Sequence, residues 1–190
     1  HIQHDPPPMR PYLLRDLYYN EAVIEVARQV LGDGLKMVGV TGNTNMPGSL
    51  QQPLHVDSGH LWRGLQEPHP TCQLVVNIAP QDVGPDNGAT QLWPGSHLDD
   101  AVFRQDASIV VSAVQEQTRR QIAAPIQLSL PRGSVLIRDM RLWHRGMPNK
   151  SQTPRPMVAL IMASAWMHGA KLKVQAGSEG FFCHEKLDIP

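Results

Sequence analysis

Short apolar runs, each cut off by glycine or proline, constrain this chain more than any other feature. The runs cover residues 72–79, 126–130, 134–138 and 157–165. Between them stand Pro80, the stretch Gly84-Pro85-Asp86-Asn87-Gly88, then Pro94-Gly95, Pro131-Arg132-Gly133 and Pro148-Asn149. Runs this short suit strands, and the punctuation marks tight turns. The chain holds 17 prolines, which sit between the apolar runs rather than inside them, as a sheet protein requires. Many short strands with Gly/Pro turns predict a mainly β fold, a double-stranded β-helix or jelly roll of the cupin type with flanking helices.

Outside these runs the pattern changes. Over residues 15–31 the apolar positions Ala22, Val23, Val26, Ala27, Val30 and Leu31 recur at helical spacing. Asn20 is a candidate cap, and Gly32 and Gly34 end the segment. A strand is expected over 36–41, then a loop over 41–53 rich in Gly, Asn and Pro. Residues 1–11 are proline-rich and read as an extended loop. Residues 106–120 are helical or irregular and bridge two halves.

The chain has 190 residues and 41% hydrophobic content, enough for one domain with a core. We expect a single domain over 1–190 that lacks part of its N-terminal region. Lys+Arg and Asp+Glu both number 17, so the formal net charge is zero. No basic block stands out, which argues against nucleic acid or an anionic membrane as the main partner. No apolar run is long enough for a transmembrane helix. Two cysteines, Cys72 and Cys183, make no disulfide framework, and free thiols fit a reducing cytoplasmic setting.

Two clusters carry chemistry. In His55-Val56-Asp57 the imidazole and the carboxylate stand at i and i+2, on one face of a strand. The second cluster is His144 with Arg155 further along. Two histidines and one carboxylate on one face of an octahedron leave three positions open, the ligand set of non-haem Fe(II) oxygenases. Arg155 stands too far along to be a ligand, and suits the far carboxylate of an oxo-acid cosubstrate. A two-stranded hairpin is expected to return Arg155 to the neighbourhood of His144. Each residue also has an ordinary explanation. A His-x-Asp pair arises by chance among nine histidines, and a lone histidine is commonly a satisfied core residue. The same ligands with Zn or Mn would serve a cupin-like isomerase or hydrolase, and a β-sandwich binding module needs none of them.

The run Asn87-Gly88-Ala89-Thr90-Gln91-Leu92-Trp93-Pro94-Gly95-Ser96-His97 narrows the choice. Together with Leu142-Trp143-His144-Arg145-Gly146-Met147-Pro148-Asn149 and Arg155, it resembles the phytanoyl-CoA dioxygenase family from about residue 11 to 165. Members that modify natural products share further features with it. These are Asn45-x-Pro47-Gly48-Ser49, Gln52-Pro53 and His60-Leu61-Trp62. The resemblance implies a double-stranded β-helix that uses Fe(II), 2-oxoglutarate and O2. It implies His55, Asp57 and His144 as iron ligands and Arg155 as the partner of the C5 carboxylate, with Gln52 and Thr90 helping at the oxo acid. It also implies release of succinate and CO2 with oxidation, most simply hydroxylation, of a substrate C–H bond. Related halogenases replace the carboxylate ligand by a small residue, so Asp57 favours oxygen transfer or a related oxidation.

Several other residues invite a role. His97 is expected to brace the Pro-Gly-Ser-His turn rather than bind metal. Asp139 is expected to pair with Arg138 or Arg141. Trp62 and Trp143 could line the pocket, and Cys183-His184 lacks a second ligand pair. The expected substrate is a small natural-product intermediate. An acyl-CoA is the rival, but only Arg119-Arg120 and Lys171-x-Lys173 are dense basic pairs.

Overall fold

The computed structural model describes residues 1–168 and 171–189; Gly169, Ala170 and Pro190 lie outside it. Its elements in order are β1 (Ile2–His4), α1 (Arg15–Tyr18), α2 (Glu21–Leu31), β2 (Lys36–Asn45), β3 (Gln73–Ile78) and β4 (Thr90–Leu92). Then follow α3 (Ala113–Ile122), β5 (Ile126–Gln127), β6 (Val135–Asp139), β7 (His144–Gly146) and β8 (Arg155–Ala163). Two antiparallel sheets form, one in the order β1-β2-β8-β3-β6 and one in the order β5-β4-β7. This is the expected mainly β, jelly-roll architecture.

Period-two alternation gives the large sheet two different faces. On β8, Leu160 and Met162 pack with Val23, Ile24, Ala27 and Leu31 of α2, while Arg155, Met157, Ala159 and Ile161 line a cavity on the other face. Strand β3 repeats the division, with Leu74 and Val76 against the helix and Val75 and Asn77 facing the cavity. On β2 a register shift between Met37 and Gly39 changes the parity. Met37 and Val40 therefore both join the helix-side cluster, and Thr41 and Asn43 face the cavity. One sheet thus has an oily outer face sealed by α2 and a mixed inner face on which Thr41, Asn43, Asn77 and Arg155 stand among apolar side chains.

Four local expectations need correction. The helix over 15–31 is broken at Tyr19 and Asn20, because Asn20 caps α2 by accepting a hydrogen bond from Val23 N (3.2 Å). Strand β2 runs on to Asn45, so the loop starts later than its polar composition suggests. Residues 41–45 pair with β8 on one edge, residues 42–44 pair with β1 on the other, and the side chains of Thr41 and Asn43 look into the cavity. The N-terminal segment, read as a loop, supplies β1, in which Ile2 pairs with Thr44. Finally, His144 and Arg155 do not share a hairpin: β7 belongs to the small sheet and β8 to the large one. The two residues meet because the sheets face each other across the cavity.

Candidate metal centre

His55 lies outside the named strands, yet it forms an antiparallel bridge with His144. His55 N donates to His144 O (3.0 Å) and His144 N to His55 O (2.9 Å). Directly opposed residues on such a bridge send their side chains to the same face. The imidazole centroids are accordingly 4.4 Å apart. Each ring is also oriented from behind. His55 Nδ1 contacts Pro53 O at 2.8 Å and His144 Nδ1 contacts Leu142 O at 2.9 Å. A carbonyl partner assigns the proton to Nδ1, which leaves Nε2 as a lone-pair donor on both rings. Burial pushes the His144 imidazole down to about 3, so it is held neutral, the form a metal needs.

Asp57 completes the group. Its backbone N–H donates to Met140 O (3.0 Å), and its Oδ1 stands 3.5 Å from His144 Nε2. One ligand atom from each of His55, Asp57 and His144 falls within 4.8 Å of the others. Burial by itself raises the Asp57 carboxyl, but Arg138 and the two imidazoles outweigh it and hold the group below its ordinary range. Arg138 NH2 donates to Asp57 Oδ2 at 2.6 Å. From the sequence Arg138 is expected only as a partner for Asp139. Asp139 pairs with Arg141 instead, at 2.7 Å. The available signal was a cation inside the apolar run 134–138, at a strand position facing opposite to Ile137.

The cavity around these side chains has a volume of about 290 Å³. Arg155 lies in its wall and is 2% exposed. Its NH2 donates to Gly88 O (2.8 Å) and its NH1 to Asn43 Oδ1 (3.5 Å), while Nε is buried without a partner. Among the described residues no carboxylate lies within ion-pair distance of it. Burial lowers this guanidinium from the ordinary arginine range to about 10. A buried cation with no counter-charge and a spare donor fits an anionic ligand. Thr90 and Gln52 line the same cavity. Gln52 Oε1 accepts from Gly146 N (2.8 Å), which is the backbone role that competes with a direct role at the oxo acid.

The motif residues turn out to be scaffolding. Asn45 Nδ2 donates to Gly88 O (3.1 Å) and Met147 O (2.8 Å), and Asn149 Nδ2 donates to Asn45 O (2.8 Å). This knot fixes the carbonyl that holds Arg155. Gly88 has φ +79°, and a Cβ there would lie 2.7 Å from Met147 O. In the Pro-Gly-Ser-His turn it is Ser96, not His97, that does the bracing. Ser96 Oγ donates to Trp93 O (2.7 Å) and accepts from Trp143 N (2.9 Å), next to His144. His97 Nδ1 is buried with no hydrogen bond. Neither tryptophan lines the cavity. Trp143 is in the core with Leu54 and Val56, and Trp62 is half exposed and stacks on Trp166. His184 contacts Glu21 at 3.0 Å.

A family model described as phytanoyl-CoA dioxygenase (PhyH) matches residues 5–157. The chain belongs to the phytanoyl-CoA dioxygenase family. Solved structures agree on the fold. EctD from S. alaskensis, with 2-oxoglutarate and 5-hydroxyectoine, aligns at 18% identity and a TM-score of 0.67, covering 82% of this chain and 53% of that one. EvdMO1 aligns at 20% identity and 0.63, covering 85% and 35%. The non-haem α-ketoglutarate-dependent epimerase SnoN from nogalamycin biosynthesis aligns at 17% identity and 0.63, covering 80% and 57%. The chain therefore spans between 35% and 57% of the length of these three proteins. No helix among the described residues is long and apolar enough to cross a membrane.

Proposed function

We propose that this protein is an Fe(II)- and 2-oxoglutarate-dependent oxygenase acting on a small natural-product intermediate. One observation carries the reading: the His55–His144 bridge and Asp57 converge three ligand atoms in the same cavity that buries Arg155 without a counter-ion. His55, Asp57 and His144 would hold the iron, which when bound would supply oxidation of a C–H bond by O2, coupled to decarboxylation of the oxo acid to succinate and CO2. The residues of the chain do the placing. Both imidazoles present Nε2 because their Nδ1 atoms are tied to carbonyls. Arg155 receives the far carboxylate, to which its planar guanidinium can bind through two donors. Thr90 and Gln52 line the same cavity and would help at the oxo acid.

Hydroxylation is the simplest outcome for the substrate. SnoN is an epimerase on a similar fold, so the placement of the substrate, rather than the metal site, would choose the product. The zero net charge and the thin supply of basic pairs favour a small molecule over an acyl-CoA or a nucleic acid. Free Cys72 and Cys183 support a reducing, cytoplasmic setting.

The test is anaerobic metal binding followed by a 2-oxoglutarate titration. The wild type is expected to take up about one Fe(II) and to develop a visible charge-transfer band on adding the oxo acid. His144→Ala and Asp57→Ala are expected to lose most of the bound iron. Undiminished iron in both variants would remove the assignment.

A further inference from the structure

His60 and Trp62 have no part in the metal cavity, yet they line a pocket of their own. It has a volume of about 250 Å³ and lies between the loop that follows Asp57 and the segment 98–103. It shares no lining residue with the cavity of His55, Asp57 and His144. Its frame is tight. His60 N donates to Val102 O (2.9 Å) and Arg104 N to His60 O (2.8 Å). A Cβ on Gly59 would lie 2.7 Å from Val102 O, so the two segments meet backbone to backbone.

His60 is 4% exposed. Its Nε2 stands 2.9 Å from Asp99 O, and a carbonyl only accepts, so Nε2 carries the proton. A neutral imidazole then has its lone pair on Nδ1. Burial moves this imidazole below the ordinary histidine value and keeps it neutral. Among the described residues nothing donates to Nδ1, and the atom is not sealed from solvent. The space it opens on is the pocket. The neighbouring ring of His69 is engaged on both sides, with Nδ1 at Pro70 O (2.8 Å) and Nε2 accepting from Leu61 N (3.2 Å).

The charges on the rim have one sign. Glu67 and Asp100 line the pocket, and neither has an ion pair among the described residues. The carboxylates next to them are taken, Asp99 by Arg119 (3.2 Å) and Asp106 by Arg63. Arg63 also lies 4.2 Å over the Phe103 ring, so this cation is occupied twice. Trp62 and Leu98 add exposed apolar surface. These groups do not converge on a point. Among the described residues the convergence a metal needs belongs to His55, Asp57 and His144. A ligand here must instead reach from a buried acceptor to two acids across an indole. An ammonium with N–H donors on an apolar body meets all three demands.

We propose that this pocket is a second binding site, for a primary organic ammonium. Its N–H donates to His60 Nδ1, its charge faces Glu67 and Asp100, and its apolar body lies on Trp62 and Leu98.

The experiment is a calorimetric titration of the full chain at low salt with four probes of one shape. These are 2-phenylethylammonium, its N-trimethylated analogue, 2-phenylethanol and 3-phenylpropionate. The primary ammonium is expected to bind best, the quaternary one less well, the alcohol weakly and the carboxylate not at all. His60→Gln keeps an amide donor for Asp99 O and loses the Nδ1 acceptor. It is expected to weaken the primary ammonium by about tenfold or more and to leave the quaternary one unchanged. The double variant Glu67→Gln with Asp100→Asn changes only exposed groups, so it serves even if the His60 variant misfolds. It is expected to weaken both cations several-fold, with the loss shrinking as salt is added. Equal affinity for alcohol and ammonium would leave the pocket to water and overturn the proposal. Undiminished ammonium binding in either folded variant would place the amine elsewhere and overturn it too.

Discussion

Replacing Arg155 by methionine is expected to make the protein more stable and a poorer binder at once. The side chain is 2% exposed, and burial lowers its guanidinium from the ordinary arginine range to about 10. A fall of that size corresponds to about 3 kcal/mol of unfavourable charge burial. Losing the bond to Gly88 O offsets about 1 kcal/mol of this, and that carbonyl keeps its bond from Asn45 Nδ2 at 3.1 Å. The remainder is a gain of roughly 1–2 kcal/mol for the ligand-free variant, in line with apolar replacement of buried charges elsewhere. For a domain of this size the gain raises the melting temperature by roughly 2–8 °C. The sign with pH is also fixed. The folded-state value lies below the unfolded one, so the wild type bears the full penalty at any pH below about 10 and loses it progressively as the pH climbs from the folded value to the unfolded one. The gain should therefore be constant between about pH 6 and 9. Meanwhile 2-oxoglutarate binding should weaken by about 10- to 150-fold, the worth of one charge-assisted contact of about 1.5–3 kcal/mol. Thermal melts without ligand and an anaerobic titration of the iron-loaded protein measure the two effects. A variant that melts several degrees lower and binds the oxo acid with unchanged midpoint would refute the reasoning, and Arg155 would then be a structural post.

Further outcomes follow from the same geometry. Gly88→Ala is expected to cost roughly 2–4 kcal/mol, since its Cβ would meet Met147 O and the Asn45 amide at a positive φ; denaturant unfolding measures this, and a loss under 0.5 kcal/mol contradicts it. Asp139→Asn leaves Arg141 without its buried partner and is expected to cost roughly 3–5 kcal/mol at neutral pH. Burial raises the Asp139 carboxyl, but its bonds from Arg141 and Thr71 prevail and hold it below the ordinary range. Its contribution is thus present above the unfolded value of about 4 and fades as the pH falls through the folded one. The difference between variant and wild type should shrink in acid, as urea melts across pH would show. Ser96→Ala removes the brace between Trp93 O and Trp143 N and is expected to cost about 1–3 kcal/mol. If it also loosens His144, chelator competition will show weaker iron binding, and unchanged iron affinity would confine Ser96 to stability.

The cluster of His55, Asp57 and His144 with Arg155 in one cavity was legible as a candidate site because these are types whose chemistry is narrow: a His-x-Asp pair, a distant His and an Arg near it. The jelly roll was legible from strand-length runs and turn residues, which are local properties. Asn20 as a cap was local too, though its power to break the helix was not foreseen. The rest was decided at long range. Nothing local says that His55 bridges to His144, because that pairing joins segments far apart in the chain. The sequence put Arg155 near His144 by a hairpin, and the structure brings them together across two facing sheets. The polar strand Thr41–Asn45 reads as loop because its partners β1 and β8 come from elsewhere. From the sequence Arg138 is a candidate partner for its neighbour Asp139, and only the alternation of β6 against the cavity gives it Asp57. Residue type and spacing determine which chemistry is possible; sheet pairing determines which groups face one another, and that choice depends on partners the local sequence does not contain.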